Sequence, residues 1–185
     1  MGLDMYLKSA PKVKSIEELM ALEIRLSKAY FDKTLEKELK AAKKDLNLKK
    51  DIEYEISDWY TKEEFEEYSA AGEHVAKVEL RKEVGYWRKF NALHAWFVEN
   101  VQGGEDECQP YIVTEDQLRE LLFSLANINK KNAKEILPTQ AGFFFGGTGY
   151  DEYYWEEVDR LKQFLMDLLG EFDFKNKMLI YRASW

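Results

Sequence analysis

Residues 83–101 read EVGYWRKFNALHAWFVENV, and the fold turns on how this stretch is divided. Taken as a helix over 86–101, it carries two adjacent stripes. Tyr86, Phe90, Leu93, Phe97 and Val101 recur at three- and four-residue steps and predict an apolar face. Trp87, Asn91, His94 and Val98 repeat the same step beside it, which sets an amide and an imidazole at the edge of that face. Such placement suits a binding site or a hydrogen-bonded core.

Downstream, Gln102-Gly103-Gly104 ends the helix. The following acids, Glu105 to Glu107, lack the ligand order of a calcium loop and read as a solvated turn. They also argue against Cys108 as a nucleophile, because acidic neighbours disfavour its thiolate. Tyr111–Val113 reads as a strand. Thr114 with Gln117 forms a capping-box signature for a helix over 115–126, and a short helix then runs to Leu137 before Pro138. In the stretch TQAGFFFGGTGYDEYYW, residues 142–145 read as a buried strand and GGTG as a turn. A helix over 151–169 follows, with Tyr154, Val158, Leu161, Leu165 and Leu168 in one stripe. A glycine turn before a helix can offer N–H groups to an anion. Here the P-loop lysine is missing, and Asp151 and Glu152 already occupy the positive helix end. Lys177–Trp185 is a closing strand.

Upstream, residues 3–8 read as a short strand ended by Pro11. Ser15 caps an amphipathic helix that continues into a Lys/Glu-rich solvated stretch. Residues 51–56 alternate acids with Ile52, Tyr54 and Ile56, as an acid-flanked edge strand does. Thr61 to Glu64 is a second capping box, and residues 75–80 lead as a strand into the 83–101 stretch. His74 stands alone among them.

A chain of 185 residues with 15% aromatic content can bury a sizeable core. A net charge of −8 argues against general nucleic-acid or anionic-membrane binding. Residues 8–50 nevertheless hold 12 Lys and Arg against 7 Asp and Glu, leaving −13 for the rest. One cysteine and two histidines exclude an internal disulfide and make a His/Cys zinc site a poor fit. No apolar run is long enough to span a membrane, and the first residues suit no secretory signal, so the expected location is cytoplasmic.

Three separated segments, Met-Gly-Leu-Asp-Met-Tyr-Leu at the start, Glu83 to Val98, and Gly142 to Tyr154, together with the terminal Ser184-Trp185, carry a resemblance. The chain resembles a family of small uncharacterised proteins of bacteriophages, prophages and bacteria. Residues 11–80 match poorly and correspond to a variable insert. Gly147-Thr148-Gly149 departs from that family's more usual Ser-Thr after the first glycine. The resemblance implies a phage or prophage accessory protein and brings no established reaction, cofactor or catalytic residue.

The sequence therefore predicts a single α+β domain over 1–185, with a variable helical insert at 12–72. Its small, mostly antiparallel sheet would comprise 3–8, 75–80, 111–113, 142–145 and 177–184, covered by helices at 86–101, 115–126 and 151–169. The expected function is capture of a small polar or nucleotide-like ligand in an aromatic-lined pocket, countering a host response. Arg88 would meet negative charge, Asn91 and His94 would hydrogen-bond, and Trp87, Tyr153 and Tyr154 would stack, with Asp151 beside them. Two alternatives stand: a protein–protein interaction module that inhibits a host enzyme, and a small hydrolase using His94 with Asp151. The partner is a small molecule or a host protein in the host cytoplasm, and a homo-oligomer remains open.

Overall fold

The computed structural model describes residues 2–185. It is α+β, with antiparallel sheet and helices arranged in two compact units. One comprises the chain up to Lys8, Glu83–Phe174 and Met178–Trp185; the other comprises Ser9–Lys82 and Lys175–Lys177. No helix of the described residues is long and apolar enough to cross a membrane.

The first unit holds most of a four-stranded sheet in the order β4-β1-β6-β5. Its strands are β1 (Asp4–Pro11), β4 (Lys82–Arg88), β5 (Tyr111–Val113) and β6 (Lys177–Ser184). Met5 and Leu7 alternate with the half-buried Asp4, Tyr6 and Lys8 along β1, the pattern of a strand with one core face. In β6, paired antiparallel with β5 so that Tyr111 faces Tyr181, residues 178–181 are buried in an unbroken run. Helices α4 (Asn91–Asn100), α5 (Glu115–Ala126), α6 (Ala133–Ile136) and α7 (Glu152–Glu171) complete the unit. The Thr114/Gln117 capping box is formed, and α5 packs on α7 through Leu118, Leu121 and Leu125 against a core that includes Val158, Leu161 and Leu165.

The organising stretch divides differently from its periodicity. Residues 82–88 are strand, and only 91–100 are helix. Lys89, at φ +59, makes the reversal between them. Tyr86 lies exposed on the strand, whereas Phe90, Leu93 and Phe97 are buried as the apolar stripe expects. Gly85 fits the strand because a Cβ there would come within 2.7 Å of the Trp87 ring and 2.8 Å of Phe164. Residues 142–145 form a turn, not a strand. Phe145 N–H returns to the Gly142 carbonyl, and the rings part company, Phe143 being 93% exposed and edge-on to Phe144 while Phe145 is buried. Helix α7 also runs past the expected limit of 169, through Gly170 to Glu171.

The second unit contains α1 (Ile16–Phe31), α2 (Leu35–Asp45), β2 (Glu55–Ile56), α3 (Lys62–Ala70) and β3 (Val78–Glu79). Ser15 caps α1, and the Thr61/Glu64 capping box opens α3. The helical pattern after Phe31 is broken by Lys33 at φ +59, so α1 and α2 are separate helices. The predicted strand at 75–80 does not join the large sheet. Val78 and Glu79 pair instead with Ile56 and Glu55 in a two-stranded sheet.

The missing partner for the far edge of β3 is supplied by α1. Ser27 Oγ accepts from the Lys77 and Val78 N–H groups at 2.8 and 2.9 Å, and Glu23 Oε1 accepts from Leu80 N–H at 3.0 Å. Both side chains sit one turn apart on a helix, so a single polar stripe reads the strand's free N–H groups.

Candidate functional site

Within the first unit the three motifs and the C-terminal strand converge on the turn at 88–91. Lys89 N–H donates to Leu3 O at 2.8 Å, and Leu3 N–H donates to Phe144 O at 3.2 Å. Gly146, at φ +88, passes so close to Lys89 that a Cβ would lie 3.2 Å from its carbonyl oxygen.

Asn91 fastens this junction. Its amide donates to Phe145 O at 3.0 Å and to Gly147 O at 2.8 Å, and its oxygen accepts from Gln140 N–H at 3.0 Å. One buried side chain thus satisfies three backbone groups of the 139–150 loop. Tyr154 OH donates to Leu137 O, Asp151 accepts from Tyr154 N–H as the N-cap of α7, and Tyr153 OH donates to Arg88 O at 2.9 Å. Burial pushes the ionisation of Tyr154 far above the ordinary phenol range, with the neighbouring Tyr150 adding to the shift. Trp87 is buried, edge-on to Phe164.

His94 is fully buried and bonded through both ring nitrogens, Nδ1 to Tyr181 OH at 2.7 Å and Nε2 to Asp106 Oδ2 at 2.8 Å. With Asp106 as a carboxylate, Nε2 donates to it, which leaves Nδ1 to accept from the phenol; this tautomer follows from the network. Tyr181 is itself fully buried and stacked on Phe97 at 3.8 Å. Its ionisation is pushed well above the ordinary range, first by burial and then by the charge of Asp106 and the neighbouring Cys108. The sequence of acid, imidazole and hydroxyl matches that of a nucleophile relay. Its terminal hydroxyl belongs to a side chain sealed from solvent, so the relay here anchors the 102–108 loop to α4 and β6. Asp151, the acid expected beside His94, caps α7 instead.

The expected site residues therefore fall into two groups. Trp87, Asn91, His94 and Tyr154 face inward with internal partners; Arg88, Asp151 and Tyr153 remain at the surface. Around Arg88 the structure adds residues that were not among the expected site residues. Asp4 accepts from Arg88 Nη1 at 3.1 Å and from Tyr86 OH, and the Tyr6 and Tyr86 rings lie 5.3 Å apart. Donation to Asp4 raises the Tyr86 phenol above its usual range. Lys89, exposed beside Arg88, makes the rim cationic. Strand alternation, once residues 82–88 are read with period two, places Tyr86 and Arg88 together on the outer face.

Sequence reading also missed the buried charge of the second unit. Glu23, with no exposed side-chain surface, receives Arg81 Nε at 3.1 Å and Arg81 Nη2 at 2.9 Å, and stands 3.1 Å from His74 Nε2. Its signal was an acid between Leu19, Leu22 and Leu26 on the apolar side of α1. Among the described residues no group of three or more His, Cys, Asp or Glu is arranged to hold a metal ion. Compared with protein-family models, curated proteins and solved structures, the chain matches none of them.

Proposed function

We propose that this chain is a binding protein whose first unit captures a small anionic, nucleotide-like ligand at the rim built on Arg88. One observation carries the reading. The motif residues that converge at 88–91 close into core on the inside and leave two adjacent cations, Arg88 and Lys89, outside, with Tyr153 donating to the Arg88 carbonyl and Tyr86 joined to the Arg88 guanidinium through Asp4. Arg88 uses Nη1 on Asp4, and its guanidinium has further donors for a phosphate or carboxylate. The exposed faces of Tyr86 and Tyr153 suit a planar base or sugar. Asn91, His94 and Tyr154 hold the shape of the rim and do not touch the ligand. The motif resemblance supports a setting in infection, with a host anion as the compound captured.

Thermal shift with inorganic phosphate, nucleoside triphosphates and cyclic nucleotides tests this. A ligand at a hundred times its Kd stabilises by about 2.7 kcal/mol, which raises Tm by a few degrees in a chain this size. The shift should vanish in folded Arg88→Ala and shrink in Lys89→Ala. A shift that survives both substitutions, or none with any anion, removes the reading.

A further inference from the structure

We propose that the outer edge of β2, in the second unit, is a docking site for an extended segment of a partner protein in which basic residues alternate with β-branched or aromatic ones. The partner strand extends the β2–β3 sheet by one strand.

The hydrogen-bond register shows which groups are free. Ser57 N–H donates to Lys77 O at 2.8 Å, and Glu55 faces Glu79 two residues along, so 55 and 57 are the positions that bond to β3. Tyr54 and Ile56 must then turn their N–H and C=O groups away from β3. The opposite edge of the sheet is already closed, since Val78 and Leu80 N–H groups go to Ser27 and Glu23 on α1. Among the described residues, the β2 edge is the one edge of this sheet left open, and residues 53–56 are all exposed.

The two faces of that edge differ in chemistry. Tyr54 and Ile56 extend an apolar face that begins with the buried Val78 and Leu80, and both remain partly exposed. The other face sets Glu55 directly opposite Glu79, a like-charge pair that destabilises an isolated sheet. Nearby acids are matched within the chain: Asp51 by Lys43, Glu53 by Lys177, and Asp58 by Lys77. No ion pair forms to Glu55 or Glu79 among the described residues. A lysine or arginine on an added strand would sit beside Glu55, one strand removed from Glu79, while its alternating apolar neighbours covered Tyr54 and Ile56. Trp59, 83% exposed just beyond the strand, is an aromatic anchor of the kind that dominates such interfaces.

Charge also selects the occupant. Residues 51–58 hold four acids and no Lys or Arg, so a second copy laid along this edge would bring acid against acid. The occupant is a different, basic chain.

Fluorescence anisotropy with the full chain provides the test, using labelled heptapeptides of alternating Lys and Val, alternating Glu and Val, and the Lys/Val peptide interrupted by a central Pro. The Lys/Val peptide should bind alone among the three and weaken as salt is raised. Ile56→Pro removes an N–H that β3 does not use, so Tm should hold while binding falls roughly tenfold or more, the scale of a lost backbone bond. Glu55→Lys should transfer the preference to the Glu/Val peptide, and does so whether or not the proline variant folds. Equal binding of the Pro-interrupted peptide, no transfer of preference in Glu55→Lys, or binding of none of the three overturns the proposal. So does dimerisation of the chain that Ile56→Pro abolishes, since the edge would then belong to a second copy.

Discussion

At the residue scale, His94 shows how one side chain can look like a site and serve a core. It lies at the edge of an apolar helical face, and that much was legible from spacing. Its partners were not, because Asp106 lies across a glycine-rich reversal and Tyr181 is 87 residues away on the last strand. Tyr181 turns the arrangement into a testable pH dependence. Its folded-state ionisation lies well above the ordinary phenol value of 10.0, so the folded chain keeps a proton that the unfolded chain releases. The unfolded state then binds fewer protons, and stability falls as pH rises above about 10. Tyr154, raised for the same reason of burial, adds to the slope. Tyr181→Phe should cost about 1–3 kcal/mol at neutral pH, because His94 Nδ1 loses its donor, and should flatten the alkaline fall. Urea unfolding at neutral and alkaline pH checks both. An unchanged slope in the variant would assign the alkaline loss to other phenols.

Elements were legible where local chemistry agreed with tertiary packing. The capping boxes at Thr61 and Thr114 mark their helices, and the apolar stripe of α7 is buried as its spacing requires. The merging of β4 with α4 into one helix failed because a single left-handed residue, Lys89, separates two periods that overlap by chance over Tyr86 to Phe90. The 142–145 turn was misread because three phenylalanines suggest burial, whereas flanking glycines let the chain reverse, so that Phe145 is buried and Phe143 is left exposed. Helix α1 adds a subtler case, since its apolar side contains Glu23 and Ser27, which act as replacement partners for strand N–H groups. Burial alone would raise the Glu23 carboxyl; His74, Arg81 and the Leu80 N–H outweigh it, and the net effect holds it below the ordinary 4.5. Stability from this cluster is therefore present above about pH 4.5 and is lost as pH falls through the lower folded value. Glu23→Gln should destabilise by about 3 kcal/mol, since the largely covered Arg81 is left without its counter-charge, and should remove that acid-sensitive step from the Tm profile. A variant that keeps the full acid step would place its origin elsewhere.

At the scale of the whole molecule, Ser9–Lys82 plus Lys175–Lys177 form a compact unit, and the residues read from sequence as an insert, 12–72, lie within it. Its boundaries escaped sequence reading because β1, β4 and β6 each continue past them without any break in strand pattern. The chain enters and leaves this unit at neighbouring points, for Ser9 Oγ donates to Lys82 O at 3.4 Å. Antiparallel neighbours at that spacing can be joined by a two-residue turn. Replacing residues 10–81 by Asn-Gly should therefore leave a chain that unfolds cooperatively, since the buried cluster from Leu3 to Ala183 draws no member from the removed segment. The shortened chain should keep the anion-dependent thermal shift that needs Arg88 and lose all binding of the Lys/Val peptide, which needs β2. Retained peptide binding would move that site into the first unit, and loss of the anion shift from a folded chain would move the ligand site out of it. A shortened chain with no cooperative transition by circular dichroism would show that the first core depends on the second for its stability.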